Sequence, residues 1–237
     1  VYCKSRRRFD QKLNINLNNA KKIEENMKTY NISKNVKGII FDIDGTLYTN
    51  VKYVFEQVDV QVRYYARLKN ISVEEARNKV AAYKKQWAEN HNGEKISLAK
   101  TMAAFGIPVA ESIQWRKMLI KPENFLSYDE KLVKTLSDLQ SKYKIISVTN
   151  NPVSTARKTL QALGVSEFFP EIIGLDSTGL SKPHYLPFSM ALEKLGLEAK
   201  DCVAVGDRYN IDVELPLKMG MGGVLVEGVE EVYNLAK

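Results

Sequence analysis

Phe41-Asp42-Ile43-Asp44-Gly45-Thr46 follows directly on the apolar pair Ile39-Ile40, so a short buried-type strand runs into two carboxylates and a Gly-Thr turn. Residues two apart on an extended chain project to the same side, which gives Asp42 and Asp44 one small space to share. Two anions that close repel unless a cation lies between them or one holds a proton. The pattern suits a magnesium-dependent phosphoryl-transfer site. An acidic turn after a buried strand is the plainer alternative, because Asp and Gly favour turns generally.

Three later segments decide between these readings. Lys144-Ile145-Ile146-Ser147-Val148-Thr149-Asn150 is an apolar strand ending in a hydroxyl. Ser181-Lys182-Pro183 sets a lysine in a loop before a helical pattern, and Val203-Ala204-Val205-Gly206-Asp207 is another buried-type strand, with Asp212 five residues further on. Singly, these are a helix cap, a solvated lysine and an ordinary turn. In this order they resemble the four motifs of the haloacid dehalogenase-like superfamily, over residues 36 to 228.

The resemblance implies a chemistry residue by residue. Asp42 would be the nucleophile, forming a transient aspartyl-phosphate. Asp44 would act as general acid and then base, which also separates the chain from the dehalogenating members, whose halide leaves without a proton. Mg²⁺ would be held by the Asp42 carboxylate, the Asp44 carbonyl and the Asp207 carboxylate. Thr149 and the Asn150 amide would bind phosphate oxygens, Lys182 would neutralise charge on Asp42 and the phosphoryl group, and Asp212 would orient Lys182 or a metal-bound water. Gly45 would permit a tight turn, with Thr46 either fixing it or capping a helix.

The periodicities give an α/β chain: a Rossmann-like parallel sheet with helices on both faces, interrupted by an all-helical insert. Strands are expected over 36–41, 144–148, 171–174, 203–205 and 223–226, alternating after residue 126 with helices over 129–139, 154–163 and 186–195. Ligands of such sheets bind beyond the carboxyl ends of the strands, where Asp42, Thr149 and Asp207 fall. Helices are expected over 54–68, 72–87 (Ser72 and Glu75 forming a capping box), 96–105 and 112–118. The organisation is thus a core of residues 36–50 and 126–237, a helical cap over 51–125 and a basic leading segment over 1–35, helical from about 13 to 30. On the cap, Arg63, Tyr64, Tyr65 and Arg67 are candidates for leaving-group contact, or else amphipathic surface with a tyrosine in the cap core.

The 237 residues carry a net charge of +7, all of it from residues 1–37, where ten Lys or Arg meet three Asp or Glu. Arg6-Arg7-Arg8 reads as a solvated basic extension; aromatic residues interleaved for base stacking are missing there, which argues against nucleic acid as partner. Two cysteines, Cys3 and Cys202, fit a reducing cytoplasm rather than a disulfide framework, and no apolar stretch is long enough to span a membrane. The expectation is a cytoplasmic, Mg²⁺-dependent phosphatase acting on a small phosphorylated metabolite. Leu47-Tyr48 with a helical cap is similar to the pyrimidine 5′-nucleotidase-like branch, which implies a nucleoside monophosphate, against sugar phosphates and phosphoglycolate as the other candidate substrates. A phosphosugar mutase, or a non-catalytic binding protein using the basic segment, are the alternatives; oligomeric state is not legible.

Overall fold

The computed structural model describes residues 27–93 and 96–236. Among the described residues six strands form one sheet: β1 (Lys28–Tyr30), β2 (Gly38–Phe41), β3 (Lys144–Val148), β4 (Ile172–Ile173), β5 (Cys202–Gly206) and β6 (Gly222–Leu225). Their order across the sheet is β1-β6-β5-β2-β3-β4. β2 lies in the middle, parallel to β3 on one side and to β5 on the other. The chain winds outward from β2 through β3 and β4, then returns to the opposite side for β5 and β6. The switch point of this double winding is the carboxyl end of β2, where a doubly wound sheet opens its crevice.

Alternation along the strands builds the two layers. Ile39 and Phe41 face a core with Leu132, Leu136, Leu160 and Phe169, and Ile40 faces the other side with Ile146, Phe188 and Ala191. Side chains of this kind contribute about 1.5–3 kcal/mol each when fully buried. The first layer is supplied by α5 (Glu130–Gln140) and α6 (Val153–Ala162), the second by α8 (Tyr185–Leu195). α7 (Leu175–Thr178), α9 (Glu214–Lys218) and α10 (Val229–Val232) are short helices that the periodicity did not reveal.

One expectation is corrected. The helix expected over 13–30 cannot include Lys28–Tyr30, because these residues form β1, antiparallel to β6, and make the sheet mixed rather than wholly parallel. Three residues carry no helical period, and pairing with the free edge of β6 overrides local propensity. The rest of that expected helix up to residue 26, Cys3 and Arg6-Arg7-Arg8 lie outside the described residues.

Between β2 and β3 the chain inserts α1 (Val51–Lys69), α2 (Val73–Asn90), α3 (Leu98–Ala104) and α4 (Val109–Leu119). The Ser72 hydroxyl accepts from the Glu75 amide at 3.1 Å, the first half of the capping box read from the sequence. The insert has its own core of Val62, Tyr65, Ala66, Val80, Met102 and Trp115. Its two connections are tied together. Asn50 caps α1 by accepting from Tyr53 N at 3.0 Å and donates to the Phe125 carbonyl at 2.8 Å. Tyr53 anchors α1 on the sheet layer through Thr159, 2.8 Å away. Among the described residues no helix is long and apolar enough to cross a membrane.

Candidate active site

The carboxylates and the lysine singled out by the sequence meet at the carboxyl ends of β2, β3 and β5. Asp42 follows β2, and its amide donates to Val205 O of β5 at 2.9 Å, which fixes its backbone in the crevice. Lys182 reaches in from the loop before α8 and lies 2.6 Å from Asp42 Oδ1 and 2.7 Å from Asp212 Oδ1. All three side chains are at least 98 % buried, so the ammonium is the charge that permits two carboxylates to sit there. Asn150 holds this lysine by its backbone. Its Oδ1 accepts from Lys182 N at 2.7 Å and its Nδ2 donates to Lys182 O at 3.3 Å.

Asp207 and Asp212 come from the turn after β5. A single wide, π-type turn over Tyr209–Val213 points the Asp212 carboxylate back to accept from Arg208 N at 3.1 Å. The approach is so close that a Cβ on Gly206 would lie 2.2 Å from Asp212 Cβ, which excludes any side chain there. Gly45 has φ +90°, and a Cβ on it would lie 2.6 Å from Asp207 Oδ2. Glycine is therefore required both by the turn and by the proximity of the carboxylate.

Asp44 has its own set of partners. Its Oδ1 accepts from Tyr48 OH at 2.6 Å and Gln57 Nε2 at 2.8 Å; its Oδ2 accepts from Asn151 Nδ2 at 2.8 Å, with Thr149 Oγ1 at 3.4 Å. Gln57 belongs to α1, so the insert contributes directly to the setting of a candidate acid–base group. Arg116 of α4 also enters, donating from Nη1 to Asn150 O at 2.9 Å.

Electrostatics follow from this crowding. Burial pushes the Asp42 carboxyl up to about 7, with Lys182 opposing it and the charges of Asp212 and Asp44 adding to the rise. Burial alone would lower the Lys182 ammonium, but Asp42 and Asp212 outweigh it and the net shift is upward. Asp207 is raised by burial, against the pull of Arg208. The Tyr48 phenol is raised by burial and by Asp44, so it stays a hydrogen-bond donor.

Asp42, Asp207 and Asp212 present one oxygen each within 4.8 Å of one another. At that spacing two carboxylates repel by about 3–4 kcal/mol at an effective dielectric of about 20. Asp207 Oδ1 is buried and accepts no hydrogen bond, with Arg208 Nε 3.5 Å away. An all-oxygen donor set with an orphaned carboxylate oxygen fits a hard divalent cation such as Mg²⁺.

Sequence reasoning did not find Tyr48, Gln57, Asn151 or Arg116 as parts of this site. Gln57 and Gln61 do leave a trace, as glutamines on the face of α1 that buries Tyr53 and Val60. The contacts of the Arg63–Arg67 cluster are those of an amphipathic surface with a tyrosine in the cap core. Arg63 pairs with Glu56 and Asp59, Tyr65 is buried in the insert core, and Arg67 lies over the Tyr64 ring, itself against Trp115.

Comparison with known proteins gives the family and the fold. Residues 36–220 match the haloacid dehalogenase-like hydrolase family. The chain is 29% identical to the glyceraldehyde 3-phosphate phosphatase of Methanocaldococcus jannaschii, over 78% of this chain and 82% of that protein. It is 26% identical to the phosphoglycolate phosphatase of Yersinia pestis, over 75% of each. Among solved structures, a phosphatase from Thermococcus onnurineus superposes with a TM-score of 0.54 at 23% identity, covering 78% of this chain and 84% of that one. A Bacillus subtilis protein of the same hydrolase type, solved with magnesium bound, gives 0.57 at 17% identity, covering 86% and 100%. With the match spanning β2 to β5, the insert and the acidic crevice, this chain belongs to the haloacid dehalogenase-like hydrolases.

Proposed function

We propose that the protein is a Mg²⁺-dependent phosphatase of small phosphomonoesters that works through a phosphorylated Asp42. The observation that carries this reading is the buried Asp42–Lys182–Asp212 array at the end of the central strand, with Asp207 beside it. In the reaction, an Asp42 carboxylate oxygen attacks phosphorus and the ester oxygen leaves with a proton from Asp44. Asp44 then takes a proton from the water that attacks the aspartyl-phosphate, releasing phosphate and restoring Asp42. Lys182 balances charge on Asp42 and the phosphoryl oxygens, Thr149 and the Asn150 amide bind those oxygens, and Asp212 holds Lys182 in place. Bound at Asp42, Asp207 and the Asp44 carbonyl, the Mg²⁺ ion would neutralise the phosphoryl group so that an anionic nucleophile can approach it. The magnesium-bound fold neighbour supports that choice of ion.

The helical insert is the cap that covers this crevice, its Gln57 touching Asp44. Relatives named for glyceraldehyde 3-phosphate and phosphoglycolate favour an ester of two or three carbons as the small phosphorylated metabolite. The nucleoside monophosphate expectation gains nothing further. Leu47 is fully buried, and Tyr48 is occupied with Asp44. The buried free thiol of Cys202 supports a reducing cytoplasmic setting.

Released phosphate, measured over a panel of short-chain phosphomonoesters and nucleoside monophosphates, tests the reading. Turnover is expected with Mg²⁺ and absent with EDTA; metal-independent release, or none from any ester, would reject it. An isomerised sugar phosphate in place of free phosphate would indicate the mutase alternative.

Proton linkage adds a second expectation. Burial raises the carboxyls of Asp42, to about 7, and of Asp207, so both hold protons at higher pH than ordinary aspartates, and Mg²⁺ must displace those protons. Mg²⁺ affinity, titrated calorimetrically, should therefore fall as pH drops from 8 to 6, by up to about tenfold per pH unit for the proton displaced from Asp42. An affinity flat across that range would contradict the raised Asp42 carboxyl.

A further inference from the structure

Arg116 is a cation of the site without an ion-pair partner among the described residues. Lys182 is paired with Asp42 and Asp212, and Arg208 lies against Asp207 and Asp212, but Arg116 makes no ion pair among the described residues. Its Nη1 donates to Asn150 O at 2.9 Å and approaches Asn151 Oδ1 at 3.5 Å, while its Nε is buried without any partner. Burial disfavours its charge, and the one acidic side chain whose field offsets this is Asp44. The oxygens of Asp44 are already engaged by Tyr48, Gln57, Asn151 and Thr149. A guanidinium left this way is expensive to desolvate unless an incoming anion completes it.

Its position says which anion. The Lys117–Asp176 ion pair at 2.9 Å and the bond from Lys158 Nζ to Lys117 O, also 2.9 Å, fasten the end of α4 to the core. Arg116 is thereby fixed beside the Asp44 side of the crevice, whereas Asp207 and Asp212 occupy the metal side. Asp44 serves the departing oxygen, so Arg116 faces the alcohol portion of the substrate rather than the transferred phosphoryl group. The planar fork of arginine matches a carboxylate.

Resting on the phosphatase reading, we propose that Arg116 is a specificity-determining residue that binds a carboxylate on the leaving group, so that the preferred substrates are short phosphoesters of hydroxy acids. Of the two relatives' substrates, phosphoglycolate has such a carboxylate and glyceraldehyde 3-phosphate does not.

The test compares 2-phosphoglycolate with ethyl phosphate, which has the same two carbons and no carboxylate. It uses the wild type, Arg116→Gln and Arg116→Lys, with thermal melts to confirm folding. Arg116→Gln should lose about 10- to 100-fold in kcat/KM for 2-phosphoglycolate and less than about threefold for ethyl phosphate, with partial recovery in Arg116→Lys. Equal losses for both esters, or no loss for either, would overturn the proposal. A binding arm separates this question from catalysis: calorimetry of both esters on Asp42→Asn, with and without Arg116→Gln, in Mg²⁺. Tighter binding of 2-phosphoglycolate that disappears with Arg116→Gln supports the assignment even if no ester is turned over; equal affinities of the two esters refute it.

Discussion

Replacing Asp42 by Asn should abolish phosphate release, by about 10⁴-fold or more, and leave the fold intact. The amide is almost isosteric with the carboxylate but is neither charged nor nucleophilic, and loss of an attacking group costs enzymes of this type their main route. Stability should hold because Lys182 keeps Asp212 as partner at 2.7 Å, and one of the three crowded carboxylates is gone. The melting temperature of Asp42→Asn should therefore match or exceed that of the wild type, and circular dichroism should be unchanged. Activity within tenfold of wild type would remove Asp42 from its role.

Lys182→Met should fail in both respects. It deletes the ammonium that lies 2.6 Å from Asp42 and 2.7 Å from Asp212, and leaves two fully buried carboxylates facing each other. Breaking a buried ion pair from one side costs about 3–5 kcal/mol, which for a chain of this size lowers the melting temperature by roughly 10 °C. Turnover should be lost as well, because nothing then offsets the charge shared by Asp42 and the phosphoryl oxygens. Added Mg²⁺ should recover part of the stability, since the ion supplies positive charge to the same oxygens. An unchanged melting curve for Lys182→Met without metal would contradict the electrostatic account of the site.

The core of this architecture was legible because its signals are local. Ile39-Ile40-Phe41 and Ile145-Ile146 read as buried strands because both faces of a parallel sheet are covered, and Gly164 and Gly196 mark the ends of their helices. The edge strand Lys28–Tyr30 was not legible, because three residues paired to β6 obey a tertiary partner rather than any period of their own. Asp42, Lys182, Asp207 and Asp212 could be named in advance because each is bound to a short motif at a strand end or loop. Gln57 and Arg116 could not. Each lies within a helix of the insert, and only the packing of the insert against the core shows that one reaches Asp44 and the other the Asn150 carbonyl. The cluster of Arg63, Tyr64, Tyr65 and Arg67 left two readings open for the matching reason, since aromatic and basic residues at helical spacing serve packing and surface pairing as readily as recognition.

In the proposed reaction the phosphoryl group passes through Asp42. The most direct test of this step is an acid quench of the wild-type enzyme during turnover of its best ester, labelled with ³²P, followed by peptide mapping. Near-stoichiometric, hydroxylamine-labile label is expected on the peptide containing Asp42, with none in EDTA and none in Asp42→Asn. Phosphate released at full rate with no labelled peptide would contradict it.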